Sequence, residues 1–175
     1  MRRIAAATGM LALGLAPSLA IACWEEAGKR YNVSPQLLYA IARVESNLNP
    51  AAVNNSHRRR TGTYDIGLLQ INSSHLARLA RVGVQEADLY DPCTNIHVGA
   101  WILAEQFARH GLSWEGVGAY NAACARLGPT DCRAARARYA WLVYRHLSSP
   151  VKPAAAFHSE APLVAVPILA ARIAP

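Results

Sequence analysis

The sequence has few charged residues and lacks the patterns that mark metal, phosphate or cofactor sites. Charged residues make up 17% of the 175 residues and apolar ones 53%, which predicts a folded chain rather than a disordered one. Its histidines and cysteines show no CxxC or HxxxH spacing, and neither a glycine-rich phosphate loop, a Ser-His-Asp pattern nor an internal repeat is evident. A catalytic triad can occur in any chain order, so its absence does not follow from the sequence alone. We expect one domain with no metal and no cofactor.

The sequence also lacks a long apolar run. Residues 4–16 follow a short basic start and precede small residues that offer cleavage after Ala20 or Ala22, which is typical of a secretory signal peptide. The run is short for a membrane span, although an anchor is the alternative, and the apolar stretch 162–170 is interrupted by Pro167. We therefore predict export to the periplasm without a stable membrane span, which disfavours nucleic acid as a partner.

Acidic residues are the minority among the charges, with 11 Asp and Glu against 18 Lys and Arg and a net charge of +7. A basic surface suits an anionic partner such as a carboxylate-rich cell-wall polymer. The basic stretch 57–60 could bind such a polymer or a partner protein, and a solvated loop is the alternative.

Four cysteines are an even number, which in an exported domain indicates two disulfides. The short spacing around a Gly-Pro turn favours a bond between Cys124 and Cys132, which leaves Cys23 for Cys93. The other two pairings stay open, and Cys23 also lies in a weak lipidation sequence.

Cap residues and apolar periodicity predict a mainly helical domain. The predicted helices cover residues 24–32, 34 to about 47, 73–81, 91–110, 113–121 and 131–147, with Ser34, Ser73 or Ser74, Asp91, Ser113 and Asp131 as caps. In the last helix, Tyr139, Leu142, Val143 and His146 are expected to face inward. The fold class is therefore all-α, a single domain over 23–147 with a short irregular or β-hairpin insert near 51–66. A signal peptide (1–22) precedes this domain, and a Pro/Ala-rich mobile tail (148–175) follows it.

Two carboxyl groups could carry chemistry. Glu45 shares one face of its predicted helix with Leu38 and Ile41, and burial of a carboxyl raises its pKa and suits it to general acid catalysis. Asp65 follows in the irregular insert, where a more solvated carboxylate could stabilise positive charge at a sugar carbon. The alternatives are an exposed helix-end Glu45 and a turn-forming Asp65.

Three short motifs carry a resemblance to a known family. Glu45 with Ser46, residues 67–71 and residues 119–122 occur in the order and spacing seen in family 1 lytic transglycosylases, which belong to the lysozyme-like superfamily. Several further stretches resemble the small specialised members that accompany type III secretion, conjugation and type IV pilus systems; these are 64–67, 70–73, 91–96 and 98–103. The resemblance implies a lysozyme-like fold that acts on peptidoglycan strands, with periplasmic components of such a machine as possible partners.

The resemblance also implies a role for each matching residue. Glu45 is the implied catalytic acid and base, and Ser46 orients it. Gln70 contacts the glycan, while Tyr120 and Asn121 lie near the acid, where the Tyr120 hydroxyl can hydrogen-bond to it.

Two positions depart from the family pattern, and one matches a related family. Leu69 replaces a usual Met, and Ala123 replaces a usual Gly, which would restrict the backbone if a positive φ were required there. The stretch around Asp65 resembles the part of c-type lysozymes that carries their second catalytic Asp.

These observations predict a lytic transglycosylase that cleaves the β-1,4 bond between N-acetylmuramic acid and N-acetylglucosamine and forms a 1,6-anhydro product. Its role would be to open the wall locally for a secretion, conjugation or pilus apparatus. One alternative is a hydrolytic muramidase that uses Glu45 and Asp65. Another is a wall-binding assembly module without activity.

Overall fold

Seven α-helices and one three-stranded sheet make up residues 19–147, the part of the chain that the computed structural model describes. In chain order these are α1 (Leu19–Tyr31), α2 (Pro35–Glu45), β1 (Val53–Asn54), α3 (Arg58–Thr61), β2 (Asp65–Ile66), β3 (Ile71–Asn72), α4 (Leu76–Ala80), α5 (Pro92–His110), α6 (Trp114–Asn121) and α7 (Pro129–Leu147). Short 3₁₀ turns occupy Ser73–His75 and Glu86–Tyr90. The predicted helical class with a small β insert is confirmed. Most of the predicted signal peptide and the whole predicted tail lie outside the described residues.

Local capping explains where several helices begin. The Ser34 side chain accepts a hydrogen bond from the Leu37 N–H ahead of Pro35, and Asp91 accepts one from the Thr94 N–H at 2.8 Å. Ser113 caps α6 in the same way. These three predicted caps are confirmed.

Two predicted caps are wrong. Asn72, rather than Ser73 or Ser74, accepts a hydrogen bond from the Ser74 N–H at the turn before α4. The last helix already begins at Pro129, ahead of Asp131, because a proline is well suited to a first helical turn.

The insert forms a real sheet, with strand order β1-β2-β3 and antiparallel pairing throughout. Asp65 lies on the central strand, where its register partners are Asn54 and Asn72. The sequence-based reading of a hairpin or loop missed α3, a single helical turn that connects β1 to β2.

The core is built around α5, whose residues 94–103 are all buried. This helix packs against α1 on one side and α6 on another, while α2 packs against α7. On α7, Tyr139 and Val143 are buried as predicted, but Leu142 is 46% exposed. That prediction is wrong because the inward stripe of α7 passes through Ala140 instead.

Both predicted disulfides are confirmed. The Cys23–Cys93 bond joins α1 to the first turn of α5, and the Cys124–Cys132 bond closes the loop that leads into α7. Within residues 19–147, none of the helices combines the length and the apolar character that crossing a membrane requires.

Candidate active site

Glu45 is the last residue of α2, where it is half-buried on the same side as the fully buried Leu38 and Ile41. The Tyr139 hydroxyl, from α7, donates a hydrogen bond to Glu45 Oε1 at 2.5 Å. Asn121, at the end of α6, also hydrogen-bonds to this carboxyl group. Three helices therefore meet at one carboxyl group.

The surroundings of Glu45 raise its pKa from 4.5 to about 7. Burial is the main cause, since it disfavours the charged form, and the negative charge of Asp65 adds to the rise. The hydrogen bonds from Tyr139 and Asn121 act in the opposite direction, because they stabilise the carboxylate. A pKa near 7 leaves both protonation states populated at neutral pH, so one group can give a proton and then accept another.

Ser46 connects the acid to the neighbouring loop. It caps α2, and its hydroxyl donates a hydrogen bond to Leu68 O at 2.8 Å while accepting one from the Asn49 N–H at 3.1 Å. The residue next to Glu45 therefore links the end of its helix to the segment 67–71.

Asn95 holds that segment from the other side, and the sequence analysis did not identify its role. Its fully buried amide donates to Ile66 O at 3.0 Å and to Leu89 O at 2.7 Å, and its carbonyl oxygen accepts from the Leu69 N–H at 2.8 Å. Gly67 has a φ of +75°, and a Cβ there would overlap the Asn95 amide. The sequence did contain an indication of this role, because Asn95 is a polar residue on a helix face whose residues one turn further along are apolar and buried.

Gln70 completes the turn in this segment with a φ of +48°. Its side-chain nitrogen donates to Gly67 O at 2.8 Å and to Ala52 O at 3.2 Å. The Gln70 side-chain nitrogen is thus occupied by hydrogen bonds to backbone carbonyl groups of the protein. Contact between Gln70 and a glycan stays a prediction.

Asp65 is held in place by polar side chains of the sheet. Asn72 Nδ2 donates to Asp65 Oδ1 at 2.7 Å, and Asn54 Nδ2 lies 3.4 Å from Oδ2. Its side chain keeps 18% of its surface exposed, and His57 Nδ1 lies 3.6 Å from Oδ2. The negative charge of Asp65 contributes to the raised pKa of Glu45, and a catalytic role for Asp65 stays a prediction.

The hydrogen bond to Glu45 that was expected from Tyr120 is made by another tyrosine. The Tyr120 hydroxyl donates to Leu69 O at 2.8 Å, and the hydroxyl group that donates to Glu45 belongs to Tyr139. Burial, followed by the charge of Glu45, raises the pKa of both hydroxyl groups well above 10, so both remain hydrogen-bond donors. Tyr139 was predicted only as an inward-facing helix residue, because nothing local in the sequence connects it to residue 45.

The two departures from the family pattern are accommodated. Leu69 packs directly on Gly99, where an added Cβ would clash with it. The positive φ near the end of α6 falls on Cys124, at 61°, and Ala123 is not among the described positive-φ residues. The backbone restriction expected at Ala123 therefore does not arise.

Two tryptophans that could stack on sugars occupy different environments. Trp101 is buried beneath the Arg78 guanidinium, 3.8 Å from the ring centroid. Trp114 is 46% exposed and lines a groove between α6 and α7 together with Trp141 and Tyr144. Across residues 19–147, the His, Cys, Asp and Glu side chains form no group of three or more that could hold a metal ion.

Comparison with known proteins gives a consistent result. The family described as "Transglycosylase SLT domain" matches residues 22–138. "Invasion protein IagB" of Salmonella typhi is 44% identical over 126 residues, which cover 71% of this chain and 76% of that protein. "Protein IpgF" of Shigella flexneri is 40% identical over 124 residues, covering 70% and 77%. The "Peptidoglycan-binding-like protein" of Escherichia coli O157:H7 is 39% identical over 128 residues, covering 70% and 74%.

Proposed function

This chain belongs to the Transglycosylase SLT domain family and is a peptidoglycan lytic transglycosylase, and we propose that Glu45 supplies both the acid and the base for its reaction. The observation that carries this assignment is a half-buried carboxyl group with a pKa of about 7, held by Tyr139 and Asn121.

In the first step, protonated Glu45 donates its proton to the oxygen between C1 of N-acetylmuramic acid and the adjoining N-acetylglucosamine. The C1–O bond breaks, the N-acetylglucosamine leaves with a hydroxyl group, and positive charge develops at C1. Partial burial of Glu45 is suited to this step, because it keeps the proton on the carboxyl group until the leaving oxygen accepts it.

In the second step, the ionised Glu45 removes the proton from the C6 hydroxyl of the same muramic residue. The freed O6 attacks C1 and forms the 1,6-anhydro ring, so no water is consumed and Glu45 regains its proton. The substrate's own acetamido group can assist at C1 between the two steps.

Asp65 is proposed to stabilise the positive charge at C1. The hydrogen bonds from Asn72 and Asn54 fix the orientation of its carboxylate, and fixed charges stabilise a transition state without reorganisation. Ser46, Gln70, Tyr120 and Asn121 are proposed to position the glycan or the loop that touches it.

The setting of the reaction is also part of the proposal. We place residues 1–22 as a signal peptide, 23–147 as the catalytic domain in the periplasm and 148–175 as a tail. Similarity to an invasion protein supports a role in opening the wall locally for a secretion, conjugation or pilus apparatus, some of whose periplasmic components would be partners.

The test is mass analysis of the sugars released from purified peptidoglycan. Wild type should release anhydromuramic ends, which are lighter by one water than reducing ends, and Glu45→Gln should release neither. Asp65→Asn should reduce the rate and keep the product. Exclusively reducing ends from wild type would establish hydrolysis instead, and near wild-type clearance by Glu45→Gln would refute the assignment of the acid.

A further inference from the structure

The one-turn helix α3 carries three consecutive arginines that the reaction does not use. Arg58, Arg59 and Arg60 are all exposed. Among residues 19–147, the ion pairs join other side chains, namely His57 with Asp65, Arg78 with Glu105, and Arg136 with Glu115. No carboxylate of the described chain therefore forms an ion pair with the three guanidinium groups of α3.

Two contacts place α3 beside Asp65 and strand β2. His57, its first flanking residue, has Nδ1 3.6 Å from Asp65 Oδ2. The Arg58 guanidinium lies over the ring of Tyr64, 4.8 Å from the centroid, and Tyr64 immediately precedes Asp65 in the chain. Helix α3 thus lies beside Asp65, the residue proposed to stabilise the charge at C1 of the muramic acid.

A third contact connects α3 to the loop that follows α6. Arg126 Nη1 donates to Arg60 O at 3.5 Å, and Arg126 lies in the loop that follows Asn121, a hydrogen-bond partner of Glu45. Arg126 brings a fourth guanidinium to the same place. The four arginines therefore form a basic rim that extends from α3, beside Asp65, to the loop that follows Asn121.

We propose that this basic rim binds the free carboxylates of the stem peptide on the muramic acid residue, so that the enzyme prefers peptide-bearing strands over bare glycan. The proposal rests on the proposed function. In peptidoglycan the lactyl carboxyl group of muramic acid is consumed in an amide bond, so the free carboxylates belong to the peptide. Guanidinium groups bind carboxylates with two parallel hydrogen bonds, and a muramic residue at Asp65 brings its own peptide to the same side of the site.

Arg59 and Arg60 are the residues to change, because Arg58 is already stacked on Tyr64. The matched control is Arg109→Gln with Arg145→Gln, which removes two charges from the last turns of α5 and α7. Substrates are soluble glycan strands with intact stem peptides, and the same strands after amidase removal of the peptides. The measured quantity is the ratio of kcat/KM for peptide-bearing strands to kcat/KM for bare strands.

For Arg59→Gln with Arg60→Gln we expect this ratio to fall about three- to tenfold, mainly through a higher KM on peptide-bearing strands, since a contact made equally before and during the reaction changes KM rather than kcat. The control pair should keep the wild-type ratio. Arg59→Lys with Arg60→Lys should recover only part of the preference, because an ammonium group lacks the planar fork of Arg.

A ratio that stays at the wild-type value would overturn the proposal and point to an acidic protein partner for the rim. An equal loss on both substrates would also overturn it, because it indicates damage to the site itself. If the double variant fails to fold, the test is inhibition of the wild-type enzyme by free stem peptide and by the same peptide with its carboxylates capped as amides. Equal inhibition by the two peptides would count against the proposal. Absence of anhydro product from wild type on either substrate would instead refute the proposed function.

Discussion

Replacing Glu45 with Gln should change how the stability of the domain depends on pH, whatever the substrate is. The pKa of Glu45 is raised to about 7 in the folded protein from 4.5, so between these values the folded state binds more protons than the unfolded state. The free energy of unfolding of wild type should therefore contain a contribution that is complete below about 4.5 and is lost as pH rises to about 7. A Gln side chain does not titrate, and its carbonyl oxygen can still accept the hydrogen bond from Tyr139.

The size of the effect follows from the same values. A rise from 4.5 to about 7, at 1.36 kcal/mol for each pKa unit, corresponds to roughly 3 kcal/mol. Because Glu45 keeps some contact with solvent, which screens its charge, we expect about 1 to 2 kcal/mol. The difference in the free energy of unfolding, Glu45→Gln minus wild type, should thus be about 1 to 2 kcal/mol more positive at pH 8 than at pH 4.

The measurement is urea unfolding of both proteins at fixed pH values from 4 to 8, with both disulfides intact. Burial also lowers the pKa of His75 and His97, but these groups are common to both proteins and cancel in the difference. Glu25→Gln, at an exposed position on α1, reports the effect of the same substitution at the surface. A difference between Glu45→Gln and wild type that is constant with pH would refute the reasoning, as would a change confined below pH 4.5.

Three further predictions test other parts of the structure. Tyr139→Phe removes a hydrogen bond that lowers the pKa of Glu45, so the profile of kcat against pH should shift toward alkaline values, and an unmoved profile would contradict this contact. Gly67→Ala forces a side chain onto Asn95 at a positive φ and should lower the free energy of unfolding by about 2 kcal/mol or more, measured by urea titration; a loss below 0.5 kcal/mol would be inconsistent with the packing. Burial lowers the pKa of His97 below 6.5, and its buried Nδ1 has no hydrogen-bond partner within residues 19–147, so wild type should lose stability as pH falls below 6.5. Relative to wild type, His97→Leu should be more stable at pH 5 than at pH 8 by thermal unfolding, and an equal difference at both would contradict this.

Sequence reasoning predicted the parts of the fold that depend on neighbouring residues. The caps at Ser34, Asp91 and Ser113 are correct because each side chain bonds to a backbone N–H within the next turn. The position of Glu45 on the inward face of α2 followed from helical periodicity in the same way. The disulfide pairing was favoured because the loop between Cys124 and Cys132 is short.

The partners of the site came only from the tertiary structure. Tyr139 reaches Glu45 across 94 residues of sequence, and Tyr120 reaches Leu69 across 51, so the choice between two similar tyrosines depends on how α6 and α7 pack on α2. Asn95 supports the segment 67–71 through hydrogen bonds to Leu69, Ile66 and Leu89, which precede α5 in the chain.

Residue spacing alone predicts which carboxyl group faces inward, since a side chain's direction on a helix follows from its position along the turn. The pKa of that group, the donor that bonds to it and the position of α3 beside Asp65 follow from the tertiary structure. These properties depend on burial and on distances between helices, and no periodic pattern along the chain encodes them.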